Sequence, residues 1–168
     1  MGGPAEARTQ NVGEPGWTVD AAGISKKGIG IDLHVKMTRL TDWLDEPMLR
    51  TFSGRATHLT HVSISAVDLK GVNRILLDSG ELKDAADVKI NGVAAATLVV
   101  HPFVTDIRGL LHEGDNEVQV TVVNSLTNYG STIQWPKNPA SQMGRFPPIS
   151  AGLLGPVVPK FEINAAKR

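Results

Sequence analysis

Apolar and polar side chains alternate along most of this chain with a period of two. Over residues 29–37 the apolar positions are Ile29, Ile31, Leu33, Val35 and Met37, separated by Gly30, Asp32, His34 and Lys36. Such alternation predicts a half-buried strand, with one face on a core and one toward water. Residues 117–123 repeat it, with Val118, Val120 and Val122 against Glu117, Gln119 and Thr121. Residues 61–67 do so through Val62, Ile64 and Ala66, and residues 74–78 form a short apolar run. Residues 87–90 and 96–100 flank Asn91-Gly92, a strong hairpin signal because both turn positions need φ > 0. Glu113-Gly114-Asp115-Asn116 is another turn cluster. Residues 17–19 predict a first strand and residues 157–163 a last one, where Pro159 suits an edge better than a centre.

One stretch has helical features. Across residues 38–50, Thr41 and Asp42 can cap, and Leu40, Trp43 and Leu44 form an apolar side, but Pro47 ends any helix early. A short turn is expected there, and one more helical turn over residues 106–111. About eight short strands separated by turn signals predict an all-β fold: two antiparallel sheets packed as a β-sandwich or jelly roll. Gly 17 and Pro 10 in 168 residues agree with a turn-rich chain. That length suits one domain. The polar residues 1–16, with two prolines and four glycines, are expected to be a flexible linker or tag remnant rather than a signal peptide. The domain is expected over residues 17–163, with a polar tail at 164–168.

Composition narrows the function. Hydrophobic residues at 41% can fill a core, and seventeen basic residues balance seventeen acidic ones. With no basic excess, nucleic acid and anionic membrane are disfavoured partners. No apolar run reaches the roughly 18 residues of a membrane-spanning helix. The chain has no cysteine, which removes disulfides, thiolate metal sites and cysteine nucleophiles, and leaves the compartment open.

The ordered set of local motifs is more specific. Trp43 is followed by Phe52-Ser53-Gly54-Arg55-Ala56, then Leu77-Asp78-Ser79-Gly80 and Ala86-Asp87-Val88-Lys89-Ile90-Asn91-Gly92. Pro102-Phe103, Gly114-Asp115-Asn116, and Asn124 with Asn128 complete it. In this order the chain resembles the sugar-binding jelly-roll domain of the glycoside hydrolase family 2 type. It is most similar to the version at the C-terminal end of family 106 α-L-rhamnosidase-like hydrolases. The resemblance implies a galactose-binding-like fold and an accessory role in glycan hydrolysis. The family's catalytic acids belong to another domain, and its parent proteins are commonly secreted or periplasmic. Trp43 and Phe52 are then expected beneath the sheet.

Candidate chemistry concentrates in one segment. Residues 124–156 form a long, proline-rich stretch, and loops of that length are usually functional or disordered. Sugar binding needs aromatic faces for pyranose C–H groups and planar polar side chains for hydroxyls. Asn124, Asn128, Tyr129, Gln134, Trp135, Arg145 and Phe146 supply both. His101 and Phe103 form a second group, because the family's corresponding loop projects toward substrate. The expected ligand is an oligosaccharide or polysaccharide.

Two alternatives stand beside this reading: a structural domain packed on a catalytic domain, and a small glycoside hydrolase in its own right. Glycoside cleavage needs two carboxyl groups roughly 5 to 10 Å apart. The acidic residues here, among them Asp42, Asp78, Asp84, Asp106 and Asp115, fall in turns, where carboxylates usually cap backbone. No catalytic residue is assigned. His58 and His61, three apart on a strand, point to opposite faces, which is poor metal-ligand geometry. Related jelly rolls often carry a structural calcium; its carbonyl ligands leave no sequence signature, so no residues are assigned to it.

Overall fold

A computed structural model describes residues 7–9, 12, 16–133 and 146–163. These residues form twelve strands: β1 Ala7–Thr9, β2 Trp17–Ile24, β3 Gly30–Met37, β4 Ser53–Ile64, β5 Val72–Asp78 and β6 Glu81–Lys83. The remainder are β7 Ala85–Ile90, β8 Val93–Leu98, β9 Val104–Asp106, β10 Gly114–Val123, β11 Gly152–Gly155 and β12 Val158–Ile163. Two single-turn helices interrupt them, α1 Ala66–Leu69 and α2 Thr127–Gly130. A six-stranded sheet runs β3-β2-β4-β10-β7-β8, a four-stranded sheet runs β1-β12-β5-β9, and β11 pairs with β6. The strand pairings are antiparallel, so the fold is the expected β-sandwich.

The alternation of the sequence is the alternation of burial. Val19 and Ala21 of β2, Val118, Val120 and Val122 of β10, and Val88 and Ile90 of β7 point inward. Ile75 and Leu77 of β5 and Phe161 of β12 complete the core from the smaller sheet. Each of the valine, isoleucine, leucine and phenylalanine side chains among these contributes roughly 1.5–3 kcal/mol when fully removed from water. The hairpin at Asn91-Gly92 forms as its dipeptide predicts, with φ of 52° and 77°.

Four local expectations change. β4 begins at Ser53, eight residues before the predicted strand, because its first inward positions are Ala56, His58 and Thr60, which do not read as an apolar stripe. Ala66 belongs to α1 instead. There Ser65 Oγ accepts from the Asp68 N–H, and the Asp68 carboxylate accepts from the Ser65 N–H, closing a capping box. Within the expected linker, residues 7–9 form β1 on β12, with Arg8 ion-paired to Asp68. Three residues are too few to show a period, so tertiary pairing decides their conformation. Pro159 lies in a strand flanked on both sides rather than at an edge. Among the described residues, β1 ends at the Thr9–Lys160 pair, so no described strand residue faces Pro159 on that side.

Residues 38–52 are turns, as expected, with Trp43, Leu49 and Phe52 fully buried. The Trp43 and Phe52 rings meet edge to face, with centroids 5.5 Å apart. Asp42 Oδ1 accepts from the Leu44 and Ala151 N–H groups, and the Trp43 N–H donates to the Ala151 carbonyl. These bonds fix the turn beneath β11.

Candidate functional site

The strand registers bring the candidate loops to one end of the sandwich. Ile24 pairs with Ser53, Val123 with both Arg55 and Ala85, and Ala86 with Leu98. Residues 99–103 then cross to β9, where Val104 pairs with Asp78. The β2–β3 turn, the β8–β9 loop, α2 and residues 146–151 therefore emerge together.

Within this end the predicted residues take different positions. The Asn124 carboxamide is buried: Oδ1 accepts from the Gly54 N–H at 2.9 Å and Nδ2 donates to the Phe52 carbonyl at 2.9 Å. Asn128, 1% exposed, grips Ile149 from both sides, accepting its N–H at 2.8 Å and donating to its carbonyl at 3.0 Å. Both amides are therefore committed to backbone and hold the loops from beneath. Tyr129 is half-buried. Its N–H donates to Ser53 Oγ, and its hydroxyl lies 3.0 Å from where a Gly28 side chain would begin. His101 is exposed and meets half-buried Phe103 edge to face, with centroids 5.7 Å apart. Phe146 is exposed. Gln134, Trp135 and Arg145 lie outside the described residues.

Sequence reasoning missed the apolar character of the same end. Ile29, Val99, Val100, Val123, Leu126 and Ile149 are exposed there beside Phe146. Val99 and Val100 were hidden as a strand continuation, although β8 stops at Leu98. Clustered exposed apolar side chains mark surfaces that meet something.

Three candidate carboxylates, Asp42, Asp78 and Asp106, are held by fixed donors, whereas burial raises the Asp84 carboxyl above its usual range. Asp78 accepts from Lys160 Nζ and the Gly80 N–H; burial acts to raise its pKa, but these bonds prevail and hold it below the usual range. Burial likewise opposes ionisation at Asp42, and hydrogen bonds from Leu44, Ser150 and Ala151 overcome it. At Asp106 the same competition is won by the Arg108 and Ile75 N–H groups and the Arg74 guanidinium. Groups held ionised by fixed donors are poor proton donors at neutral pH. His58 and His61 face opposite ways: His58 is fully buried, and exposed His61 pairs with Asp115 at 2.7 Å. Among the described residues, no three His, Asp or Glu side chains converge as metal ligands.

The outer face of the six-stranded sheet carries a second arrangement. A depression of about 450 Å³ is lined by Asp20, Ala22, Asp32, His34, Arg55 and Thr57, among others. Asp20 bonds His34 at 2.6 Å, and Thr57 bonds Thr121 at 3.1 Å on the neighbouring strand.

No family model matches this chain. It is 30% identical over 96 residues to a Formosa agariphila protein named as a beta-glucuronidase; the match spans 56% of this chain and 8% of that protein. Its fold is similar to part of a rhamnosidase from Novosphingobium sp. PP1Y, with a TM-score of 0.69, 22% identity, and coverage of 96% of this chain and 16% of that one. It is also similar to part of the Bifidobacterium dentium beta-glucuronidase, solved with coumarin-3-O-glucuronide, with a TM-score of 0.65, 19% identity, and coverage of 97% and 31%. The chain thus spans less than a third of each of these proteins and shares the fold of β-domains found in glycoside hydrolases.

Proposed function

We propose that this chain is a non-catalytic carbohydrate-recognition domain serving a glycan-degrading glycoside hydrolase of the rhamnosidase-like or family 2 kind. One observation carries the reading. His101, Phe103, Tyr129 and Phe146 lie on loops at one end of a fold shared with rhamnosidase and glucuronidase structures, His101 against Phe103 on the β8 side and Tyr129 beside Gly28 on the β2–β3 side. Rings at such an end stack on the C–H faces of a pyranose. Asn124 and Asn128 support these loops rather than touching the sugar, because their amides are already bonded.

A shallow end buries little ligand area, so affinity for an isolated sugar is expected to be weak. Isothermal titration with rhamnose-, galactose- and uronate-containing oligosaccharides tests the reading. Heat that saturates with at least one of them supports it, and no heat with any of them overturns it.

A second reading is favoured by a specific observation. Val99, Val100 and Leu126 are 63%, 72% and 66% exposed at the same end. Side chains so open fit a surface that packs against a catalytic domain. In that case the end binds no sugar by itself, and its apolar residues become protected from hydrogen exchange only when the catalytic domain is present.

A further inference from the structure

β3 is an edge strand. It pairs with β2 through eight consecutive residue pairs with no register shift, and among the described residues nothing pairs with its other side. The Ser25 N–H donates to the Ile29 carbonyl in the same register. In an antiparallel ladder, hydrogen-bonded and non-bonded pairs alternate. The odd-numbered residues of β3 therefore direct their backbone groups to β2. Gly30, Asp32, His34 and Lys36 direct theirs outward.

Natural sheets guard such edges with prolines, bulges or inward-pointing charges. β3 has no proline, bulge or inward-pointing charge; its outward charges, Asp32 and Lys36, are of opposite sign and can pair with another copy. Its inward positions are apolar, and Ile31, Leu33 and Val35 remain only half-buried against the core. The strand thus presents four outward-directed N–H and C=O sets and an apolar underside that its own domain leaves incompletely covered.

The order of its side chains specifies an occupant. Laid antiparallel against itself about His34, β3 sets Asp32 opposite Lys36 at both ends of the pairing. It also sets Leu33 opposite Val35 on the apolar face. The facing residues in this register are the even-numbered ones, whose backbone groups point outward. Shifting one copy by two residues to bring His34 opposite Lys36 loses both Asp32–Lys36 pairs. Among the described residues, neither Asp32 nor Lys36 has an ion-pair partner of its own. We propose that β3 is a self-association edge, pairing with β3 of a second copy about His34 and joining the two six-stranded sheets into one. The inference is independent of the carbohydrate reading, since it uses the backbone edge of β3 and none of the proposed sugar-binding side chains.

An isologous contact of this kind is closed, so it stops at a dimer. Its area lies at the small end of specific interfaces, below roughly 1,200 Å², so association depends on concentration. Sedimentation equilibrium over a concentration series reads it directly. The chain is expected to approach a dimer mass at high concentration. His34→Pro is expected to remain monomeric and folded, because the lost N–H faces away from β2. Asp32→Lys and Lys36→Asp place like charges opposite one another in their homodimers and are each expected to be monomeric. Mixed one to one, they restore both pairs and are expected to form a heterodimer. A wild-type monomer throughout the series overturns the proposal. So does a dimer that survives His34→Pro, or a mixture that stays monomeric.

Discussion

The His58 imidazole lies nearly parallel to the Trp43 indole, with ring centroids 6.2 Å apart and planes inclined by 12°. The histidine is fully buried on β4, and its Nδ1 is bonded to the Val120 carbonyl at 3.3 Å. Burial pushes its pKa from 6.5 down to about 4, and the Val120 and Ala56 carbonyls only partly offset this. The folded chain therefore keeps His58 neutral at a pH where the unfolded chain protonates it.

This gives a stability that is complete above pH 6.5 and falls as pH drops toward 4. The loss from this one group is roughly 3 kcal/mol across the window. Asp42, Asp78 and Asp106, held below their usual range, lose stability in the same direction but at lower pH. Urea unfolding midpoints measured from pH 7 to pH 4 should fall, and His58→Leu should flatten most of that decline. An unchanged slope in the variant would mean that another group carries the protons.

Asn124→Ala should destabilise the fold strongly. It leaves the Gly54 N–H and the Phe52 carbonyl without the partners they have at the start of β4. Each unpaired buried group costs about 1–3 kcal/mol. A large drop in the urea midpoint is expected, with native circular dichroism retained at low temperature.

Gly152→Ala should be worse. A β-carbon there would lie within van der Waals overlap of the Trp43 indole, and the backbone φ is +99°, which side chains rarely adopt. Because Trp43 is packed by Phe52 and His58, it has no room to retreat. A loss of about 3 kcal/mol or more is expected, read as a lower melting temperature and a red-shifted tryptophan emission.

Phe146→Ala and His101→Ala separate recognition from folding. Both side chains are exposed, so neither should move the melting temperature by much. Under the carbohydrate reading, each should weaken oligosaccharide binding about tenfold, equal to about 1.4 kcal/mol. Titration calorimetry on the two variants, beside the unaltered chain, checks this.

Much of the fold is legible in the sequence because its strands carry a period-two stripe. β3, β10 and the β7–β8 hairpin show this directly, as Val118, Val120 and Val122 do in β10. β4 was only half legible, since His58 and Thr60 face the core without looking apolar. β1 was invisible, because its conformation depends on a partner more than 150 positions away, and such tertiary context leaves no local trace. The site was legible as a region but not in its division of labour. Asparagine beside a loop reads equally as a ligand or as a clamp, and only the hydrogen bonds of Asn124 and Asn128 distinguish the two.

The order β1-β12-β5-β9 has a kinetic consequence. β1 and β5 share no neighbour except β12, the strand that leaves the ribosome after all the other described ones. The smaller sheet therefore cannot join β1 to β5 until β12 has emerged and inserted. Contacts this distant along the chain make folding slow, and the waiting chain is the form most exposed to aggregation.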